Sequence, residues 1–315
     1  LAHTASLSQL QSPPWALVDG ELVPYDDVRI HISAEALTRA LSVFEGLKGY
    51  WNTAGDVFAV RTPRQHYDRL RRSAGLLHIP VGFSYDEFLA GLATLGEKLL
   101  VPDKDLWFRP TMYVTEGHWG EGTSATLVVT AFTQRTDDPD PMRLGVSTWR
   151  RAADVALPTR VKCSANYVGA RLARIEAKRL GYDDAVLLND AGRVAEVTGA
   201  CILIADNKGR VISPPASEGC LDSITVQVLE EVCEDLGFTL ERRPIERTEL
   251  LTATECGVAG TISELTLVEE IDGYTFRQDG RLALIRQRYL EVMRGKATLP
   301  GSPVVPLLER SSLPG

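Results

Sequence analysis

The apolar and polar positions divide the chain into a strand-rich first half and a mixed second half. Trp15-Ala16-Leu17-Val18 and Glu21-Leu22-Val23-Pro24 flank Asp19-Gly20, a pair that favours a type I′ turn, so this stretch predicts a hairpin. Residues 43–51 and 57–60 predict paired strands around Asn52-Thr53-Ala54-Gly55. Helices are expected at about 64–76 and 84–99, where Tyr67, Leu70, Ala74 and Leu77 recur at helical spacing. Strands at 106–114 and 125–131 complete an α+β unit. Thr136-Asp137-Asp138-Pro139-Asp140-Pro141 is polar and stiffened by proline, as interdomain linkers are. Beyond it come a strand at 142–147, a strand-like run Arg160-Val161-Lys162, and a helix at about 164–180 stopped by Gly181. Strands at 184–189 and 200–205 and a helix at about 224–236 follow. The expected organisation is a flexible arm over 1–14, a small α+β N-terminal domain over 15–135, a linker over 136–141 and a larger mixed α/β domain over 142–315. The fold class is α/β.

Composition narrows the function. The 315 residues are 44% hydrophobic and 24% charged, as in an ordinary globular protein long enough for two cores. A formal net charge of -8 argues against non-specific binding to nucleic acid or to an anionic membrane and favours small metabolites as partners. The five cysteines form no C-x-x-C pair, and with five histidines no metal-ligand cluster stands out. No apolar run approaches the roughly 18 residues of a membrane-spanning helix, and the first residues lack the basic start of a signal peptide. A reduced, cytoplasmic protein is expected.

The chemistry centres on Lys162. A lysine held where a strand-like run meets a helix is partly withdrawn from water, which lowers its amine pKa and suits it to form a Schiff base with an aldehyde. Asn166 and Tyr167 fall in the first turn of the following helix, where the phenol can hydrogen-bond a ligand oxygen. Glu196 lies among small and apolar residues, placed to keep a pyridine nitrogen protonated. Leu221-Asp222-Ser223-Ile224-Thr225 sets a capping residue before a helix, and Gly260-Thr261-Ile262 offers a second turn; both are candidate anion sites. Arg69, whose fork suits a phosphate, is a candidate bidentate donor to the same anion. Each signal alone also has a plainer reading: a solvated lysine, a surface carboxylate, simple helix capping, or the basic face of a helix that also carries Arg71 and Arg72.

Together the motifs are similar to the fold-type IV pyridoxal phosphate enzymes, and most similar within them to the branched-chain amino acid aminotransferases. The resemblance runs from about Trp15 to about Tyr289. It is carried by Ser42-Val43-Phe44-Glu45-Gly46-Leu47, Tyr67-Asp68-Arg69-Leu70, Phe108-Arg109-Pro110, Lys162 with Asn166-Tyr167, Gly181-Tyr182-Asp183-Asp184-Ala185, Ala195-Glu196, Leu221-Asp222-Ser223-Ile224-Thr225 and Gly260-Thr261-Ile262-Ser263-Glu264-Leu265. It implies Lys162 as the Schiff-base lysine, Glu196 as partner of the pyridine nitrogen, Tyr167 as partner of the phenolic oxygen, and Leu221 packed on the ring. Arg69, Ile224, Thr225, Thr261 and Ile262 would hold the phosphate, and Phe44 and Gly46 would line the substrate pocket. It further implies pyridoxal 5′-phosphate as cofactor and a homodimer with active sites at the domain and subunit boundary. The partners would be a hydrophobic L-amino acid as amino donor and a 2-oxo acid, usually 2-oxoglutarate, as acceptor.

Three departures bear on substrate. Trp107 stands where the family usually has a tyrosine whose hydroxyl helps bind the substrate carboxylate. Arg39 stands near the place of another tyrosine, and Cys201 replaces an asparagine. An indole offers neither a hydroxyl nor an acceptor, so carboxylate recognition falls to Arg39, Arg109 or His118. A D-amino acid transaminase, an (R)-selective amine transaminase and an aminodeoxychorismate-type lyase share the fold and remain alternatives.

Overall fold

Asp19 and Gly20, with φ of 47° and 91°, supply the two left-handed residues of a tight turn, and strands Trp15–Val18 and Glu21–Pro24 pair around them as expected. The computed structural model describes residues 11–134, 136 and 138–313; the first ten residues of the expected arm and Asp137 of the expected linker lie outside them.

The hairpin belongs to an eight-stranded, wholly antiparallel sheet. Its spine is the long hairpin of strands Asp105–His118 and Glu121–Gln134. The run expected as one strand at 43–51 is two, Ser42–Phe44 and Leu47–Trp51, broken at Glu45 and Gly46. Both pair with Asp105–His118. Helices Pro63–Leu76 and Tyr85–Leu99 cover one face, and Ser84 and Glu87 form the capping box that starts the second. Glu21–Pro24 lies at one end of the strand order and Val304–Glu309 at the other, where it pairs with Val57–Arg61. The first sheet thus includes a strand from the stretch assigned by sequence to the second domain.

The second sheet has nine strands and mixes parallel with antiparallel pairs. Helices Ile224–Asp235 and Arg281–Met293 pack on one face around Leu229, Val232, Leu282 and Ile285. A separate apolar cluster around Ile202, Ile204, Val258 and Val268 fills the other face. The mixed α/β class holds. The run Arg160-Val161-Lys162 is not a strand: it is a turn, followed by a 3-10 turn at Ser164–Asn166 and helix Tyr167–Arg179. The reason lies in Asn166, whose side-chain amide donates to the carbonyls of Pro158 and Val161 and folds the segment back on itself.

Close packing of the first sheet depends on Gly49. The Phe58 ring lies over it, between Trp51 and Phe108 with ring centres 5.7 and 6.5 Å away, and a Cβ on Gly49 would fall 2.2 Å from Phe58 Cζ. Gly49→Ala is expected to cost about 2 kcal/mol by overpacking. Urea unfolding checks this, and an unchanged midpoint refutes it.

Candidate active site

Alternation along Asp105–His118 separates two sets of side chains. Leu106, Phe108 and Met112 enter the helix-covered core, while Trp107, Arg109 and Thr111 face the other way. Phe44, opposite Thr111, and Lys48, opposite Trp107, share that second face. Lys162 meets it there. Strand Ser42–Phe44 fastens the lysine segment at three points: Phe44 N–H donates to Lys162 O at 3.0 Å, Val43 bridges Cys163, and the hydroxyls of Ser42 and Ser164 lie 2.6 Å apart. The Lys162 amide also donates to Ser73 Oγ of the first helix at 3.3 Å.

Lys162 Nζ lies 2.7 Å from Tyr167 Oη and 4.9 Å from the centre of the Phe44 ring. The rings of Phe44 and Tyr167 are 5.0 Å apart. Arg109 comes within 4.9 Å of the Phe44 ring, and its guanidinium has no carboxylate partner among the described residues. Burial lowers its pKa, against the pull of Tyr167 and Tyr25. Trp107 is buried with its Nε1 lacking an acceptor, and it lies so close to Gly46 that a Cβ there would be 2.7 Å from Nε1. Only glycine admits the indole.

Glu196 Oε1 pairs with Arg151 Nε at 2.9 Å, and Oε2 accepts the Leu221 amide at 3.0 Å. Burial pushes its pKa up from the ordinary carboxylate value, while Arg151, the Leu221 amide and Lys162 pull it down. Ser223 caps its helix by accepting from Val226 N–H, which leaves the amides of Ile224 and Thr225 without acceptors among the described residues. Thr261 and Ile262 sit at the tip of the hairpin formed by Glu255–Gly260 and Glu264–Ile271.

Arg69 departs from its expected part. Its Nε and Nη2 grip Glu45 at 2.6 and 2.8 Å, so the bidentate fork is spent on a carboxylate of this chain. Only Nη1 is left, and it donates to Asp222 O at 2.8 Å beside the Ser223 cap. Glu45, with no exposed surface, also accepts from His66 Nδ1 at 2.7 Å. Burial raises the Glu45 pKa, but Arg69 and His66 overcome this and hold the carboxyl well below the usual range. Burial keeps the His66 imidazole below its ordinary value despite that contact.

Arg39 and His118 do not join Lys162 within the chain. Arg39 pairs with Glu35 at 3.1 Å and lies over the Trp119 ring, 4.6 Å from its centre. His118 packs against the same exposed tryptophan at the far end of the long hairpin. Sequence reasoning missed Arg151, for which no local signal exists. It also gave Glu45 no part, although a lone acid inside an apolar strand run signals a partnered buried charge.

The sequence model of amino-transferase class IV matches residues 42–271. The chain belongs to this family. The aminotransferase is 32% identical over 295 residues to a probable branched-chain-amino-acid aminotransferase of Aquifex aeolicus, covering 90% of this chain and 94% of that protein. It superposes on the crystal structure of a branched-chain aminotransferase from Thermoproteus uzoniensis with norvaline at a TM-score of 0.87 and 28% identity, over 95% of this chain and all of that one. The branched-chain amino acid aminotransferase of Thermobaculum terrenum in its PLP form gives 0.85 and 27%, over 94% and 99%. Class IV aminotransferases use pyridoxal 5′-phosphate, and this one is a PLP-dependent transferase. The donor set fits that cofactor: an amine hydrogen-bonded to a phenol, a buried carboxylate, and two turns whose amides lack acceptors among the described residues. Among the described residues no metal-ligating cluster occurs, and no helix is long and apolar enough to cross a membrane.

Because Glu45 titrates below its unfolded value near 4.5, its ion pair stabilises fully above that pH and is lost as pH falls towards the folded value. Glu45→Gln should cost about 3 kcal/mol at neutral pH by leaving Arg69 buried without a counter-charge. The gap between the two proteins should then narrow as pH drops below about 4.5. Urea unfolding at neutral pH and near pH 3 tests this; a constant gap refutes it.

Proposed function

We propose that this aminotransferase moves an amino group from a hydrophobic, branched-chain-like L-amino acid to a 2-oxo acid at the seam between its two sheets. The observation that carries the reading is the contact of Lys162 Nζ with Tyr167 Oη at 2.7 Å, facing Phe44 and Arg109, which has no carboxylate partner among the described residues. The names of its relatives support the branched-chain donor class.

When bound, pyridoxal phosphate supplies a ring that withdraws the electrons released at the substrate carbon. The other tasks fall to the chain. Lys162, as the free amine, takes the proton from the substrate Cα and delivers it to the accepting carbon, and Tyr167 Oη keeps Nζ oriented for both transfers. Glu196, anchored by Arg151 and the Leu221 amide, would present its carboxylate to the ring nitrogen and keep that nitrogen protonated. Leu221 would pack on the ring. The amides of Ile224, Thr225, Thr261 and Ile262, with the remaining nitrogen of Arg69, would hold the phosphate. Arg109 takes the substrate carboxylate, and Phe44, Gly46 and Trp107 shape the pocket for the side chain.

The protein is proposed to act as a cytoplasmic homodimer with the site at the subunit boundary. Val168, Leu172 and Ile175, at i, i+4 and i+7 on the helix that begins with Tyr167, are exposed by 62%, 37% and 36% in the single chain and support such a partner. Arg39 and His118, set apart from their own Lys162, are then available to the partner's site.

Borohydride treatment of the native protein should fix the cofactor covalently to Lys162, as read by peptide mass, and Lys162→Ala should hold it only non-covalently. Labelling of another lysine overturns the assignment. Glu196→Gln should lower turnover about 10²- to 10³-fold while the phosphate contacts retain the cofactor. Near-native turnover would remove Glu196 from its role. Native protein should use leucine, isoleucine or valine with 2-oxoglutarate, and Trp107→Tyr should raise kcat/KM for valine by about tenfold through one regained charge-assisted hydrogen bond. A donor screen that includes D-amino acids and simple amines decides between this class and its rivals.

A further inference from the structure

Glu264 has φ of +52°, a left-handed conformation that costs a non-glycine residue about 1 kcal/mol and is ordinarily left to glycine or asparagine. It closes the hairpin loop 261–263, directly after the turn whose amides are assigned above to the phosphate, and it faces Gly260 across the ladder. A strained residue persists where its side chain has work that glycine cannot do. Here the carboxylate reaches out of its own sheet to Lys48 Nζ at 2.9 Å. Lys48 also lies 3.4 Å from Asp105 Oδ2, and Asp105 is held by both terminal nitrogens of Arg294 at 2.6 and 2.7 Å. The two acids and two bases balance, and Lys48 and Asp105 are almost wholly buried. In the first sheet Lys48 is the cross-strand partner of Trp107 and stands two residues from Gly46, on the face that forms the pocket wall. On the turn itself the Thr266 hydroxyl donates to Ser263 O at 2.6 Å, a contact within the second sheet.

We propose that Lys48 and Glu264 are positioning residues that lock the 260–264 turn against the pocket wall, so that its amides are aimed to grip the phosphate of the cofactor. This rests on the reading that the turn takes the phosphate. The ion pair bears on the distance between phosphate grip and substrate wall through a contact that joins the two sheets.

The test compares the full chain loaded with pyridoxal phosphate or with pyridoxal, which lacks the phosphate. Lys48→Met and Glu264→Gln should each weaken retention of pyridoxal phosphate by about tenfold, the scale of coupling within one ion-pair network, and the double variant should be no worse than either alone. Pyridoxal retention should be unchanged, and the ³¹P resonance of bound cofactor should shift in each variant. Glu264→Gly, which removes the carboxylate while relieving the left-handed strain, guards against misfolding and should give the same selective loss. Equal losses for pyridoxal and its phosphate, or no loss for either, overturn the proposal. Thr261→Pro, which deletes one turn amide, separates the two levels. If it leaves the ratio of the two retentions unchanged, the phosphate reading fails and this inference with it. If it alters the ratio while Lys48→Met and Glu264→Gly do not, only the positioning role fails.

Discussion

A carboxylate with no exposed surface must be surrounded by donors, and Glu45 meets that demand in a way that organises the whole front of the first sheet. Its amide donates to Pro110 O, while its side chain draws in Arg69 and His66 from the first helix. This interrupts the strand between Phe44 and Leu47. The interruption leaves Phe44 free to meet Lys162 and Gly46 free to accept the Trp107 indole. The same bond removes the fork of Arg69 from solvent and points its remaining nitrogen at the cap of a helix in the second sheet.

The two halves contribute different things. The second sheet offers polar groups aimed inward: the Glu196 carboxylate and the amides before Thr225 and around Thr261. The first offers a wall of aromatic surface with one cation set in it. The lysine belongs to neither sheet; it is carried by a turn that Asn166 folds and that strand Ser42–Phe44 clamps. A reactive amine on a clamped turn can be oriented by backbone bonds on both sides.

Much of this was legible in the residues, because local rules govern it. Asp19-Gly20 specified a turn, the periodicity of 64–76 and 84–99 specified helices, and Ser223 read correctly as a cap. What could not be read involves partners distant in sequence. The turn at Lys162 depends on a side chain reaching back from Asn166, and the partner of Glu196 lies 45 residues before it, as their numbers show. Arg69 kept the place expected of it but not its free hydrogen-bonding capacity, because a motif shows which donors exist and not which are already engaged. Charge and a ring nitrogen single out Arg39 and His118 in the sequence, but His118 ends the first strand of the long hairpin and Arg39, at the end of the short helix Glu35–Thr38, packs over Trp119 at that hairpin's tip.

The strand Val304–Glu309 closes the edge of a sheet whose other strands all come from the first 134 residues. During synthesis the ribosome delivers that closing strand last, long after its neighbour Val57–Arg61 has emerged. Until then the nascent first half carries an open row of amides and carbonyls, the kind of edge that recruits foreign strands. A chain cut short anywhere between Arg61 and Val304 would keep that adhesive flank for good.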